Sequence, residues 1–245
     1  NSTWSENFST TVRASYRDYN RNQDPVGGRS ISNFEVCLDP TTTGSLTSCN
    51  TARLFFGPDV SRHTNLLRTS NTSIDATARL DLGDHSFRFM TGFTDVDTFN
   101  LFIQRSLGDL YFDSLADFAA RRASRFRLGG AVPSLDPLDA AADFGTQNWT
   151  FGLQDDWQAT PSLTINYGVR YDLFNNDTLP TRNPNFLARQ GFSNRETFKG
   201  RGVWQPRFGF NWEATDRLII KGGAGIFAGG TPDVYLSNSF ANTGL

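Results

Sequence analysis

Several stretches of this chain alternate between apolar and polar side chains with a period of two, and they are far longer than the roughly five or six residues of an average strand. From Trp4 to Tyr16 the even positions carry Trp4, Phe8, Val12 and Tyr16, while the odd ones carry Ser, Asn, Thr and Arg. A strand sends successive side chains to opposite faces, so this stretch predicts one long strand with an apolar and a polar side. The alternation returns from Thr72 to Leu82, changes phase across Gly83-Asp84, and continues through Phe87, Phe89 and Phe93. Gly83-Asp84 therefore predicts a tight hairpin turn. Trp149–Trp157 and Leu163–Tyr171 form a second hairpin about Ala159–Ser162. Trp204–Trp212 and Leu218–Ile226 form a third about Glu213–Asp216, making seven strands.

The connections alternate in length. Short turns are separated by long polar segments at about 20–70, 106–145 and 175–202, and loops beyond roughly 15 residues are uncommon in compact domains. With 38% hydrophobic residues the chain has no run of the roughly 18 to 20 apolar residues that a membrane helix needs. A β-barrel escapes that test because its strands are only half apolar, and short periplasmic turns with long extracellular loops are its signature. The expected fold is all-β: the wall of an antiparallel transmembrane β-barrel. A soluble β-sandwich is the competing fold, but its core would not need the spacing of aromatics described next.

Charge placement supports the barrel. Arg13, Arg17, Arg79, Arg88, Arg170, Arg207 and Lys221 all fall on the polar phase; a lipid-facing Arg at the midplane would cost about 2 to 4 kcal/mol. These seven are the candidates for the lumen lining and the solute path. Trp149 and Trp157 lie eight residues apart on one apolar face, and Trp204 and Trp212 repeat the spacing. At about 3.3 Å per residue and a tilt near 40° this spans roughly 20 Å, close to the roughly 25 Å band between aromatic girdles. With Trp4 they are the expected membrane-interface aromatics. Four acids, Glu6, Asp95, Asp97 and Asp155, break the pattern; an interface position or a β-bulge is the expected accommodation.

Other features carry less. Cys37 and Cys49 sit in a polar loop where a disulfide is expected in an oxidising compartment. Ser114–Arg127 reads as a short loop helix with a Ser114/Asp117 cap and Leu115, Phe118 and Ala119 on one face; Arg121, Arg122, Arg125 and Arg127 could bind an anionic ligand or lipopolysaccharide, but a solvated helix face is the expected reading. His63 and His85 belong to opposite ends of this topology, Asp84 beside His85 is a turn residue, and Gly222–Gly225 lacks the Lys-Ser/Thr of a phosphate loop. Those glycines are expected to allow curvature or close strand approach. No enzyme, metal site or cofactor is expected, and a net charge of −2 gives no footprint for nucleic acid. No leader precedes the strand pattern at Asn1, so a removed segment or a longer parent chain is expected.

The segments WTFGLQDDWQATPSLTINYGVRYD (149–172) and WQPRFGFNWEATDRLIIKGGAGIFAGGTPDVYLSNSFANTGL (204–245) resemble TonB-dependent outer-membrane receptors of the Oar-like group, and YFDSLADFAARRASRF (111–126) is similar to a loop of that group. The resemblance covers about half the chain. It implies a barrel of about 22 strands, plugged by an N-terminal domain and energised through TonB. Residues 1–245 are then expected to be a partial barrel domain, without plug or TonB-contacting segment. The implied partners are outer-membrane lipid, the TonB complex through the missing N-terminal region, and an unknown solute bound at the extracellular loops and actively imported. A passive porin and an outer-membrane adhesion or scaffold protein are the alternatives.

Overall fold

The computed structural model describes residues 1–38, 49, 52–229 and 233–244. Its elements, in chain order, are β1 (Ser2–Ser5), β2 (Phe8–Asn22), β3 (Asn33–Cys37), β4 (Arg53–Phe56), β5 (Thr64–Leu82), β6 (His85–Ile103), β7 (Asp109–Phe112), α1 (Leu115–Ala119), β8 (Arg125–Arg127), β9 (Ala142–Thr160), β10 (Leu163–Asn176), α2 (Pro184–Gln190), β11 (Arg201–Thr215), β12 (Leu218–Gly225) and α3 (Asp233–Ala241). They divide between two compact units, one of Asn1–Asp18, Thr69–Thr98 and Phe144–Tyr235, the other of Tyr19–Arg68, Phe99–Asp143 and Leu236–Leu245.

The first unit is built on a sheet in the order β1-β2-β5-β6-β9-β10-β11-β12, in which sheet neighbours follow one another along the chain. The sheet is not closed on itself: β1 and β12 are its two edges. Tight turns at Gly83-Asp84, Pro161-Ser162 and Asp216-Arg217 join the three expected hairpins. Gly83 takes φ +58°, a backbone conformation that tight hairpin turns demand and a side chain disfavours. One expectation is corrected here. The alternation from Trp4 to Tyr16 is not one strand, because Glu6-Asn7 forms a turn that folds β1 back onto β2 and raises the count in this sheet to eight. The turn also takes Glu6 out of any strand face, so its place in the apolar phase carries no burial cost.

The second unit corrects the expectation of plain polar loops. Segments from the first two long connections form a four-stranded sheet, order β4-β3-β7-β8. Its centre is a parallel pair, Asn33↔Asp109 through Val36↔Phe112, between segments more than seventy residues apart. Phe118 of α1 packs edge-on against Phe56 and Phe112 at ring-centroid distances of 5.4 and 5.2 Å, and Phe34 stacks on Phe56 at 4.9 Å. Each such contact adds about 0.5–1.5 kcal/mol beyond burial. Cys37 and Cys49 are joined in a disulfide and both are buried beside Tyr111. Residues 39–48 of the polar loop between them lie outside the described residues.

The helix expected over Ser114–Arg127 ends at Ala119. Ser114 caps it, its Oγ accepting from Asp117 N at 3.0 Å, but Arg121 then takes φ +57° and the chain turns back as strand β8. Two of its arginines consequently lie on a strand instead of a helix and pair with acids, Arg125 half-buried and Arg127 still exposed. Arg125 donates to Glu35, which also pairs with Arg53, and Arg125 lies 5.1 Å over the Tyr111 ring. Arg127 Nε donates to Asp109 at 2.8 Å, where Asn33 Nδ2 (3.0 Å) and Arg105 Nε (3.3 Å) also donate. Burial pushes the Asp109 carboxyl up, but those bonds and the Arg127 charge outweigh it and hold the group below the usual carboxylate range. Burial, aided by the Asp113 charge, raises the Tyr111 phenol.

Candidate functional site

Cross-strand partners share a sheet face, so the register decides which side chains meet. On one face Tyr171 pairs with Phe151 and Trp204, Leu173 with Trp149, Ile165 with Trp157 and Leu163 with Trp212. Trp149 also packs 4.5 Å from Phe93, and Tyr171 4.5 Å from Trp204. Trp149, Phe151, Trp204 and Trp212 are exposed rather than packed in a core, Trp204 keeping 64% of its surface and Phe151 47%, while Phe93, Trp157 and Tyr171 are half-buried. A contiguous apolar face of this kind needs a non-aqueous covering. Trp4, on β1, is exposed too, and its indole donates to Thr10 Oγ1 at 2.8 Å.

Asp155 lies in the phase of that aromatic face, yet it is 3% exposed. It is not left to an interface. Tyr167 Oη donates to its Oδ2 at 2.7 Å, His85 Nδ1 lies 2.6 Å from the same oxygen, and the His85 ring stacks between Phe87 and Trp157. The acid is thus accommodated by partners on both neighbouring strands. His63 belongs to the second unit, buried, its Nδ1 accepting from Leu107 N and its Nε2 donating to Pro58 O. The two histidines share no site, and among the described residues no cluster of three metal-ligating side chains occurs.

The opposite face of β9, β10 and β11 carries the polar partners: Thr150↔Asp172, Gly152↔Arg170↔Gln205, Gln154↔Gly168↔Arg207 and Asp156↔Asn166↔Gly209. Asp172 and Gln205 are almost wholly buried there. Asp172 Oδ1 accepts from Thr150 Oγ1 at 2.8 Å and from Arg170 Nε at 2.9 Å, while its Oδ2 accepts from Gln205 Nε2 at 2.7 Å. Gln205 Oε1 in turn accepts from Ala228 N at 2.9 Å. The carboxylate is therefore tied to two neighbouring strands and holds the Arg170 guanidinium in one orientation. Further along the same face, Asp156 Oδ1 accepts from Asn166 Nδ2 and Gln154 Nε2. Next to these rows β12 runs close to β11: a Cβ on Gly223 would stand 2.7 Å from Phe208 O. Close approach is what the glycines of 222–225 permit.

Of the seven cations, Arg170 and Arg207 lie in this cluster, Arg207 also standing 5.2 Å over the Phe227 ring. Arg13 and Arg17 are exposed on β2, Arg79 pairs with Asp81 on β5 at 3.0 Å, Arg88 is half-buried on β6, and Lys221 on β12 stands opposite Asn211. The residues that organise the cluster, Asp172, Gln205 and Thr150, had one legible signal: each falls on the polar phase of its strand.

Comparison with known proteins gives a family. The model described as "Outer membrane beta barrel domain" matches residues 1–245. A search of curated proteins returned no match. Among solved structures, the outer membrane transporter YddB from Escherichia coli is similar at 13% identity and a TM-score of 0.44, over 98% of this chain and 32% of that one. The chain thus spans about a third of the length of that transporter.

Proposed function

The chain belongs to the outer membrane β-barrel domain family and resides in the lipid of the bacterial outer membrane, and on that premise we propose that it is a section of the wall and outer loops of a larger, plugged receptor that imports a solute by TonB-coupled transport. The observation that carries this reading is the Thr150–Arg170–Asp172–Gln205 network on the face opposite the exposed aromatics. A carboxylate and a guanidinium are costly against lipid and inexpensive beside water, so the two faces suit lipid outside and a wet conduit inside. The unpaired edges of β1 and β12 support a wall continued by further strands. Along the conduit Arg13, Arg17, Arg79, Arg88, Arg170, Arg207 and Lys221 offer donors to a passing solute, with Asp172 holding Arg170 in place. The second unit, stapled by Cys37–Cys49, offers a rigid surface for capture.

The test is accumulation of labelled solutes (chelates, saccharides, peptides) by cells expressing the full-length protein. Energy-dependent uptake that disappears on TonB deletion, and falls in Asp172→Ala, is the expected outcome. Steady ion conductance in a planar bilayer without energy input would make the protein a passive porin. Attachment to cells or polymers with no solute crossing would make it an adhesin.

A further inference from the structure

The partners that bury Asp155 satisfy its hydrogen bonds but not its charge. Its Oδ2 accepts twice, from Tyr167 Oη at 2.7 Å and from His85 Nδ1 at 2.6 Å, which suits the ionised, acceptor-only carboxylate. Among the described residues no arginine or lysine pairs with Asp155, and His85 is its one basic partner. With Nδ1 holding the ring proton against the carboxylate, the neutral imidazole leaves Nε2 as an acceptor. The Asp155–His85–Tyr167 cluster thus carries a negative charge on the apolar face, where a carboxylate without a cation is costly.

The carboxylate itself is out of reach, so what the cluster offers outward is the His85 ring, whose side chain keeps 37% of its surface. Its Nε2 has no partner among the described residues and is not buried. Phe87 and Trp157 lie parallel to the ring on either side, at centroid distances of 5.6 and 5.5 Å. They keep the local dielectric low, so the Asp155 charge strengthens Nε2 as an acceptor. His85 opens β6 straight after the Gly83-Asp84 turn, and Gln158 N donates to Asp84 O at 2.8 Å, which puts the cluster at the tight-turn end of the sheet. In an outer-membrane barrel that end is periplasmic, and a girdle tryptophan such as Trp157 marks the level of the lipid headgroups. A partner at that level must bring a positive charge and an N–H donor to an apolar surface. We propose that His85 Nε2, backed by Asp155, binds the primary ammonium of an ethanolamine phospholipid in the periplasmic leaflet.

The proposal rests on the reading of the aromatic face as lipid-facing, not on solute import. The full-length protein is reconstituted in vesicles of equal parts phosphatidylethanolamine, phosphatidylglycerol and phosphatidylcholine, and the lipids it retains are counted by native mass spectrometry. Enrichment of the ethanolamine lipid over both others is expected, since the glycerol headgroup brings no cation and choline has no N–H. One charge-assisted bond supports an enrichment of about tenfold. It should vanish in His85→Phe, which keeps a ring between Phe87 and Trp157, and in Asp155→Asn, which keeps the shape of the acid without its charge. Heat-modifiable gel mobility checks that each variant is folded; should one fail, the other decides, and the wild-type preference needs no variant. Equal retention of the three lipids, a preference for phosphatidylglycerol, or an ethanolamine preference that survives His85→Phe would overturn the proposal. Absence of energy-dependent uptake beside a His85-dependent preference would remove the transport reading and leave this site standing.

Discussion

Asp109→Asn should loosen the second unit while leaving the membrane sheet intact. The side chain is 2% exposed and accepts from Asn33, Arg105 and Arg127, whose own side chains are 28% (Arg105) and 45% (Arg127) exposed. Asparagine keeps the size and one acceptor but removes the charge and turns an NH₂ toward a guanidinium. Two charge-assisted bonds at about 1.5 kcal/mol each would give about 3 kcal/mol, and the partial exposure of both arginines trims this to about 2–3. At 1.36 kcal/mol per decade, amide exchange in β3 and β7 of the full-length protein should accelerate by about 30- to 160-fold. Acidity supplies a second arm. The folded carboxyl titrates below its unfolded value near 4, so its contribution is complete above about pH 4 and is lost as pH falls through the lower, folded value. Wild-type protection in β3 and β7, taken relative to the intrinsic amide rate at each pH, should therefore fall in that acid window, and the Asn variant should lack this component. Unchanged exchange at neutral pH, or identical acid profiles, would refute the reasoning.

Three further outcomes follow from the same geometry. Replacing Cys37 and Cys49 together by Ser should cost the second unit about 3 kcal/mol, read as faster proteolysis of the first two long connections in intact protein. Gly223→Ala should impair barrel assembly, seen as lost heat-modifiable mobility, because its Cβ would meet Phe208 O at 2.7 Å; Gly209→Ala, with its nearest neighbour at 3.6 Å, should assemble normally. Phe151→Arg on the exposed aromatic face should destabilise the folded protein in bilayers by about 2–4 kcal/mol in denaturant titration, while Gln154→Arg on the polar face should change it little; equal effects would contradict the assignment of faces.

Much of the sheet was legible because side-chain direction in a strand is a local property. Trp149, Phe151 and Leu153 alternate with Thr150, Gly152 and Gln154 whatever the strand pairs with, and Gly83-Asp84 makes a turn through its own backbone preferences. The split at Glu6-Asn7 is invisible in the alternation because a register shift between Thr3 and Ser5 cancels the phase change of the two-residue turn: Thr3 faces Ser9 and Ser2 faces Thr10, so the even-odd pattern runs through it unbroken. The polar cluster was half legible: Arg170 and Arg207 stood out by charge, but the burial of Asp172 and Gln205 depends on which residues stand opposite them across two strands.

The amino-acid order alone therefore determined strands β5, β6 and β9–β12, their two faces, the three tight turns between them and the chemistry each face can tolerate, since all of these follow from backbone geometry over two to four residues. Only the tertiary structure decided that β3 and β7 lie parallel, that Arg125 and Arg127 leave a helix to neutralise Glu35 and Asp109, and that His85 and Tyr167 shelter Asp155 on an apolar face. Those outcomes join residues up to ninety positions apart. No local preference encodes such a pairing; it is selected by the burial and hydrogen bonding that become available once the chain has folded.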